Sequence, residues 1–328
     1  MKHWDSGTSH PSVSVVQGLR IGVIRNPRSH RNRRAPPDWS GRPDISVAVP
    51  QSKAAIEEAL TAFAAQGIDV LMIEGGDGTV RDVLTRGAVV FGERWPLIAM
   101  VPKGKTNALA LDLELPSHWT FDEAVAAASR GRTVRRRPVV IECEDRERAL
   151  WGFIFGAGAF NAAIETGQVA HRFGAFQSFA IGLTAVFGLV QALFGIGNSP
   201  WRRTAPMRVR DEADGAELEH SGHGSRTSRY VALFSTLRRF PLGITPFRES
   251  DQGMRYLLLD APVRRVTWRI PSILLGIEGP NDPAIGIHRG VGEAFRIDLD
   301  GRFILDGESF GPSRMVLRQG PELEFVVP

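Results

Sequence analysis

Apolar residues in the first 137 positions fall into short blocks that alternate with amphipathic stretches. Leu19–Arg25, Ile45–Val49, Asp69–Ile73 and Leu97–Val101 read as strands, each a short apolar run closed by turn residues. Lys53–Gln66 carries Ile56, Leu60 and Phe63 at helical spacing and stops at Gly67. The third strand runs into Gly75-Gly76-Asp77-Gly78-Thr79, followed by a helix-like run from Val80 to Thr85. The fourth runs into Pro102-Lys103-Gly104-Lys105-Thr106-Asn107. Strands alternating with helices predict a Rossmann-like, doubly wound parallel α/β domain over residues 19–137. Ligands of such sheets gather at the strand carboxyl ends. Asn26, Asp77 and Lys105 all fall at such ends.

From Pro138 the texture changes to short β-rich runs between turn residues. These are Val139–Cys143, Leu150–Phe155, Met207–Arg210, Tyr230–Ser235, Met254–Ala261, Val266–Ile270, Ala294–Leu299, Arg302–Leu305, Met315–Leu317 and Leu323–Val327. They predict an antiparallel β-sandwich over residues 138–328, with the last residues free to pack back on the first domain. Asp211–Arg229 is polar and reads as a long hairpin loop. Ser178–Gly197 is twenty residues without a charge, the length of a membrane span. Four glycines and Gln191 dilute its hydrophobicity, so a cleft-lining helix and a membrane-surface contact also fit. Residues 1–18 read as a disordered polar tail, and Met1–Gln17 has no apolar core of a secretory signal.

A chain of 328 residues, 43% hydrophobic and 23% charged, is globular and long enough for two domains. The single cysteine, Cys143, excludes an intrachain disulfide framework and fits a reducing, cytoplasmic compartment. The net charge is +4, unevenly spread. Arg20, Arg25, Arg28, Arg31, Arg33, Arg34 and Arg42 form one basic stretch; Arg130, Arg132, Arg135, Arg136 and Arg137 form another. Such stretches suit polyphosphate or anionic headgroups, or are merely solvated faces. Without interleaved aromatic platforms they do not predict nucleic-acid binding. Nothing in the sequence specifies an oligomeric state.

The glycine-rich junction at 75–79 carries the chemistry. Glycines there let backbone approach a ligand closely, and the helix that follows aims free N–H groups at an anion. Asp77 beside bound phosphates would hold Mg²⁺ or orient a hydroxyl. Arginine outnumbers lysine 36 to 4, yet Lys103 and Lys105 both sit in the second loop. A retained lysine there suits a compact point charge on a second phosphate-facing loop. Gly104-Lys105-Thr106 imitates the end of a P-loop, but the glycine required five positions earlier is Ala99. Gly307-Glu308-Ser309-Phe310-Gly311 imitates a hydrolase elbow, but Pro312 follows and no histidine occurs after Ser309. His220 and His223 lack further ligands at metal spacing.

Four segments together resemble the diacylglycerol kinase catalytic-domain family, which includes soluble bacterial lipid kinases, sphingosine kinases and ceramide kinases. They are Asn26-Pro27-x-Ser29, Gly75-Gly76-Asp77-Gly78-Thr79, Pro102-x-Gly104-x-x-Asn107-x-x-Ala110 and Asp306-Gly307-Glu308. NAD kinases and phosphofructokinases share a similar first loop; the late Asp-Gly-Glu separates the lipid branch. The resemblance implies ATP and Mg²⁺ as cofactors. Asn26 and Ser29 would lie against the nucleotide, Gly75, Gly76, Asp77, Gly78 and Thr79 at its phosphates, and Gly104, Lys105, Thr106 and Asn107 would complete the site. Glu308 would be the general base, with Asp306 in support and Asp77 near Mg²⁺ or the acceptor. Asp251 resembles an Asp-rich turn that holds a structural Mg²⁺ in some members, or is an ordinary turn.

The chain also departs from that pattern. Lys105 stands where threonine is usual, Arg81-Asp82 replaces Asn-Glu, Ala108 replaces an acid, and Arg136-Arg137 stands where another acid is usual. The expectation is a peripherally membrane-associated kinase of a lipid hydroxyl, meeting an anionic membrane surface. A kinase of a soluble acceptor such as NAD, or a non-catalytic nucleotide- or lipid-binding regulator, are the alternatives.

Overall fold

The structure is a computed structural model, described for residues 18–29, 31–32, 42–159, 202–247 and 253–328. The stretch 178–197, Asp251 and the tail before Gly18 lie outside the described residues. The first domain runs β1 (Ile21–Arg25), β2 (Ile45–Ala48), α1 (Lys53–Gln66), β3 (Val70–Gly75), α2 (Asp77–Phe91) and β4 (Leu97–Pro102). It continues through α3 (Ala108–Asp112), α4 (Phe121–Ser129) and β5 (Thr133–Arg136). Helix α1 starts at Ser52, whose hydroxyl accepts from the Ala55 N–H, and ends at Gly67 with φ 63°. Those are the signals its sequence carries. Helix α2 starts at Asp77 itself, with Gly76 as its N-cap, so Asp77 is its first residue rather than part of the preceding turn.

The second half opens with β6 (Val139–Cys143), β7 (Leu150–Gly152), β8 (Ile154–Gly158), β9 (Ala205–Asp211), β10 (Ser228–Arg229), β11 (Val231–Ser235) and β12 (Met254–Leu259). Next come α5 (Arg264–Leu274), α6 (Asp282–Ile285), β13 (Ile287–Gly292), β14 (Ala294–Leu299), β15 (Phe303–Leu305), β16 (Glu308–Phe310) and β17 (Ser313–Gln319). The last strand, β18 (Leu323–Val326), returns to the first domain.

The first sheet has the order β2-β1-β3-β4-β18-β5, parallel from β2 to β18 with β5 antiparallel at the edge. The other two sheets, β10-β9-β14-β17-β6-β7 and β13-β12-β11-β8-β15-β16, are antiparallel in every pairing. Their facing sides enclose Phe155, Phe234, Phe295 and Phe303, all fully buried. The chain is thus an α/β domain followed by a mostly-strand domain. Phe153, Leu233, Leu257 and Ile287 point out of the sandwich and join Val80, Ala108 and Leu109 in one apolar core across the domain seam.

Val266–Ile270 is not a strand. It lies within α5, where Val266, Thr267 and Ile273 are buried. Its β-branched and aromatic residues alternate like a strand, but packing of one helical face overrides that local preference. Strands β5 and β13 are not among the runs read as strands from the sequence; Arg135, Arg136, His288 and Arg289 occupy them. The second basic stretch is largely neutralised within the chain. Arg135 pairs with Glu322 and Glu324, Arg136 with Asp112, and Arg137 with Glu322. Among the described residues, no helix is long and apolar enough to cross a membrane.

Candidate functional site

Parallel pairing of β1, β3 and β4 brings their carboxyl ends to one edge. Asn26 follows β1, and its Nδ2 donates to Thr79 Oγ1 at 2.8 Å, tying the first strand end to α2. Its Oδ1 accepts from the Arg28 N–H at 2.9 Å. Ser29 is buried beneath this turn. The two glycine loops touch directly: a Cβ on Gly104 would stand 2.6 Å from Gly76 Cα, and one on Gly76 would stand 2.8 Å from Gly104 Cα. Only glycine permits that approach. Asn107 (φ 51°) closes the second loop, its Oδ1 accepting from Gly104 N–H at 2.9 Å and its Nδ2 donating to Gly104 O at 3.0 Å.

Asn26, Arg28, Ser29, Gly76, Gly78, Thr79, Arg81, Asp82, Gly104 and Lys105 line one open cleft of about 580 Å³. Arg28 and Lys105 are exposed on its walls, and neither makes an ion pair among the described residues. Gly75 closes β3 beneath Thr79, and Thr106 is exposed beside the cleft without lining it. Two free cations, a helix N-terminus and glycine walls suit a polyphosphate. Beneath the cleft floor Arg25 and Glu74, register partners on β1 and β3, form a buried ion pair; Lys103 Nζ lies 3.9 Å from Glu74 Oε1.

The carboxylate of Asp77 turns away from this cleft into the domain seam. Its Oδ1 accepts from the Leu109 N–H at 3.3 Å. Burial pushes the carboxyl above its ordinary range, opposed by the backbone N–H groups at the start of α3. Asp306 meets it from the other domain. Asp306 and Gly307 form the two-residue turn between β15 and β16, with φ 45° and 81°. Asp-Gly is the preferred sequence for that left-handed hairpin turn. The turn swings the Asp306 carboxylate onto the break between β7 and β8, where it accepts from Phe153 N–H at 3.1 Å and Ile154 N–H at 2.9 Å. Gly152 leaves room for it, since a Cβ there would lie 2.5 Å from Asp306 Oδ2. Burial first, and the Asp77 charge second, push Asp306 up to about 7. The two aspartates, with Val80, Ala108, Leu109, Phe153 and Leu237, line a cavity of about 10 Å³. That is room for one water or one hydroxyl group.

Glu308, two residues on, occupies a different environment. Arg81 Nη2 donates to its Oε2, and Lys53 Nζ to its Oε1 at 3.1 Å. Arg81 is itself buried and also donates to Asp82 Oδ1 at 2.9 Å and Leu305 O at 3.3 Å. The structure therefore places the first three motifs around one cleft and brings the fourth to the neighbouring seam, with Asp306 beside Asp77 and Glu308 on the cleft-lining Arg81. The reading from sequence missed Arg81, Lys53 and Arg28 as members of the site. Lys53 is one of only four lysines, the same scarcity that marks Lys105.

Residues 22–139 match the family model described as diacylglycerol kinase catalytic domain. No curated protein matches the chain by sequence. A solved structure described as "a putative diacylglycerol kinase from Bacillus anthracis str. Sterne" aligns with a TM-score of 0.63 at 16% identity, covering 94% of this chain and 97% of that one. Another, described as a diacylglycerol kinase from the same organism, gives 0.62 at 15% identity with the same coverage. At these identities the likeness is one of fold, and it spans both domains. The resemblance to the diacylglycerol kinase catalytic-domain family is thereby shown, and its sequence match lies over residues 22–139.

Proposed function

We propose that the chain is a kinase that transfers the γ-phosphoryl group of Mg·ATP to the hydroxyl of diacylglycerol, ceramide or a related lipid. The observation that carries this reading is adjacency on the first turn of α2: Gly76, Gly78 and Thr79 line the cationic cleft, while Asp77 and Val80 line a paired-carboxylate cavity sized for one hydroxyl. Phosphoryl transfer asks mainly for positioning and charge neutralisation. The cleft walls hold the phosphates through α2 and second-loop N–H groups, with Arg28 and Lys105 opposing their charge.

The acceptor hydroxyl enters the seam beside Asp77 and Asp306. Its oxygen forms the new bond to the γ-phosphorus as the bond from that phosphorus to the β,γ-bridging oxygen breaks, and ADP leaves. The hydroxyl proton passes to the aspartate pair. Two buried carboxylates this close do not both ionise readily, and a group titrating near 7 is matched to taking a proton at neutral pH. Mg²⁺ would neutralise the phosphates; it needs only one or two carboxylates besides them, and Asp82, which lines the cleft, and Asp77, between the cleft-lining Gly76 and Gly78, are the candidates. Glu308 fits a positioning role, because its pairing with Arg81 and Lys53 fixes the hairpin that carries Asp306.

Labelled ATP assayed with diacylglycerol, ceramide and sphingosine in mixed micelles, and separately with NAD, tests the reading. Label transferred to a lipid is expected. Label on NAD alone would mark a soluble-acceptor kinase, and ATP binding without transfer to any acceptor would mark a regulator.

A further inference from the structure

Helix α5 buries Val266, Thr267 and Ile273, and Val266 and Ile273 join the apolar core that also holds Leu233, Leu257 and Ile287. Its opposite face is unusual for a surface helix. Trp268 lies four and three residues after Arg264 and Arg265, Pro271 three after Trp268 and Leu275 four after Pro271, so these residues share one outward stripe. Trp268 is 66% exposed, Leu275 64%, and Ile277, just past the helix end, 51%. These are among the most exposed large apolar residues described. Arg264 and Arg265 are exposed and make no ion pair among the described residues, whereas Arg269 is held by Asp282. Glu278 is the acid beside the patch.

We propose that this stripe docks the protein on an anionic lipid surface, with Trp268, Leu275 and Ile277 inserted among the headgroups and Arg264 and Arg265 against their phosphates. Three features select this occupant. An amphipathic indole on a helix lying flat, followed by aliphatic tips, fits the headgroup–acyl boundary. Two unpaired arginines at one end of the stripe complement anionic headgroups. The three apolar side chains expose on the order of 350 Å², under half of the ~800 Å² per partner that a stable protein interface buries. The inference goes beyond the proposed reaction, since it concerns how the chain meets a membrane and not what it does there. Nothing in it depends on the aspartate pair.

Co-sedimentation of the full chain with phosphatidylcholine vesicles, with and without 30% phosphatidylglycerol, tests it. Binding is expected to the anionic vesicles and to fall with added salt. Trp268→Ala/Leu275→Ala/Ile277→Ala should weaken it by about 10-fold or more. Arg264→Gln/Arg265→Gln should weaken it by about 5-fold per arginine and remove the preference for anionic lipid. Wild-type tryptophan fluorescence should be quenched by brominated lipid, and the quenching should drop in Trp268→Phe; this reading does not need the triple variant to fold. Vesicle binding that survives both sets of substitutions would place the membrane contact elsewhere in the chain and overturn the assignment. So would a lipid-free dimer that the triple variant converts to monomer, or no binding by the wild type. Kinase activity on lipid in mixed micelles, measured in parallel, separates failure of this surface from failure of the proposed reaction.

Discussion

Asp306→Asn isolates the charge at the seam with little change of shape. Asparagine tolerates the left-handed φ of 45° at least as well as aspartate. Its side-chain oxygen can still accept from Phe153 and Ile154 N–H. What disappears is a carboxylate whose folded-state titration lies near 7 rather than at its ordinary 3.8. A raised carboxyl favours the folded state while both states hold the proton. That stability is complete below pH ~4 and is lost as pH rises toward 7. The loss amounts to about 4 kcal/mol above pH 7. Asp306→Asn should therefore leave thermal stability near pH 4 almost unchanged and raise Tm at pH 8 by about 4–8 °C. The same variant should lose lipid phosphorylation, because an amide cannot accept the acceptor's proton. A thermal scan across pH 4–8 beside a labelled-ATP assay reads both effects. Equal Tm shifts at pH 4 and pH 8 would refute the buried-charge argument. Full turnover would remove Asp306 from proton transfer.

Three further substitutions probe the parts around that pair. Glu308→Gln is expected to retain measurable turnover, well above Asp306→Asn, with ATP KM within about 3-fold of wild type; complete loss would return the base role to Glu308. Gly104→Ala drives a methyl onto Gly76 Cα and Asn107 Oδ1 at 2.6 and 2.7 Å. Forcing the loops apart costs on the order of 1–3 kcal/mol, so isothermal titration should show ATP affinity at least tenfold weaker. Lys105→Thr removes one of the two cleft cations that make no ion pair among the described residues and should raise KM for ATP several-fold while kcat changes less; an unchanged KM would make Lys105 a helix-end residue only.

Much of the first domain was legible because its signals are local. The extent of α1 follows from three apolar residues at helical spacing and the stop at Gly67, and the glycine loops sit where apolar strands stop. The fold class of the second domain was legible from its turn spacing, but α5 was not. Val266, Trp268 and Ile270 mimic a strand, and only the sheet beneath them decides otherwise. The fate of the second arginine stretch was equally hidden, because its acids, Asp112, Glu322 and Glu324, lie up to 189 residues away. At the site, motif and spacing named the residues, but not their grouping. That Asp306 faces Asp77 while Glu308 faces Arg81 follows from one left-handed turn. A hairpin of two residues sends neighbouring side chains to different surroundings, and no linear pattern records which goes where.

The departures from the family pattern become coherent once the seam is seen as a charge system. Arg81 and Arg136 stand at positions where the resemblance implies an asparagine and an acid. Arg81 has become a brace between the domains, and Arg136 anchors the carboxylate, Asp112, that forms another. Arg81 joins α2 to the β15–β16 hairpin through Leu305 O and Glu308. Arg136 Nε donates to Asp112 Oδ2 at 2.5 Å, while Asp112 Oδ1 accepts from Arg238 and Arg239 N–H at 2.5 and 2.9 Å, just beyond β11. The Asp112 side chain is wholly buried and that of Arg136 only 13% exposed. Removing one member of such a pair strands a buried charge at a cost of about 3–5 kcal/mol. Arg136→Gln should thus lower Tm by about 5 °C or more, and adding Asp112→Asn should recover part of that loss because no charge is left unpaired. If Arg136→Gln were neutral, or the double variant were worse than the sum of its parts, the brace would carry no weight. The lost acid at 136 would then have to be explained by the acceptor instead.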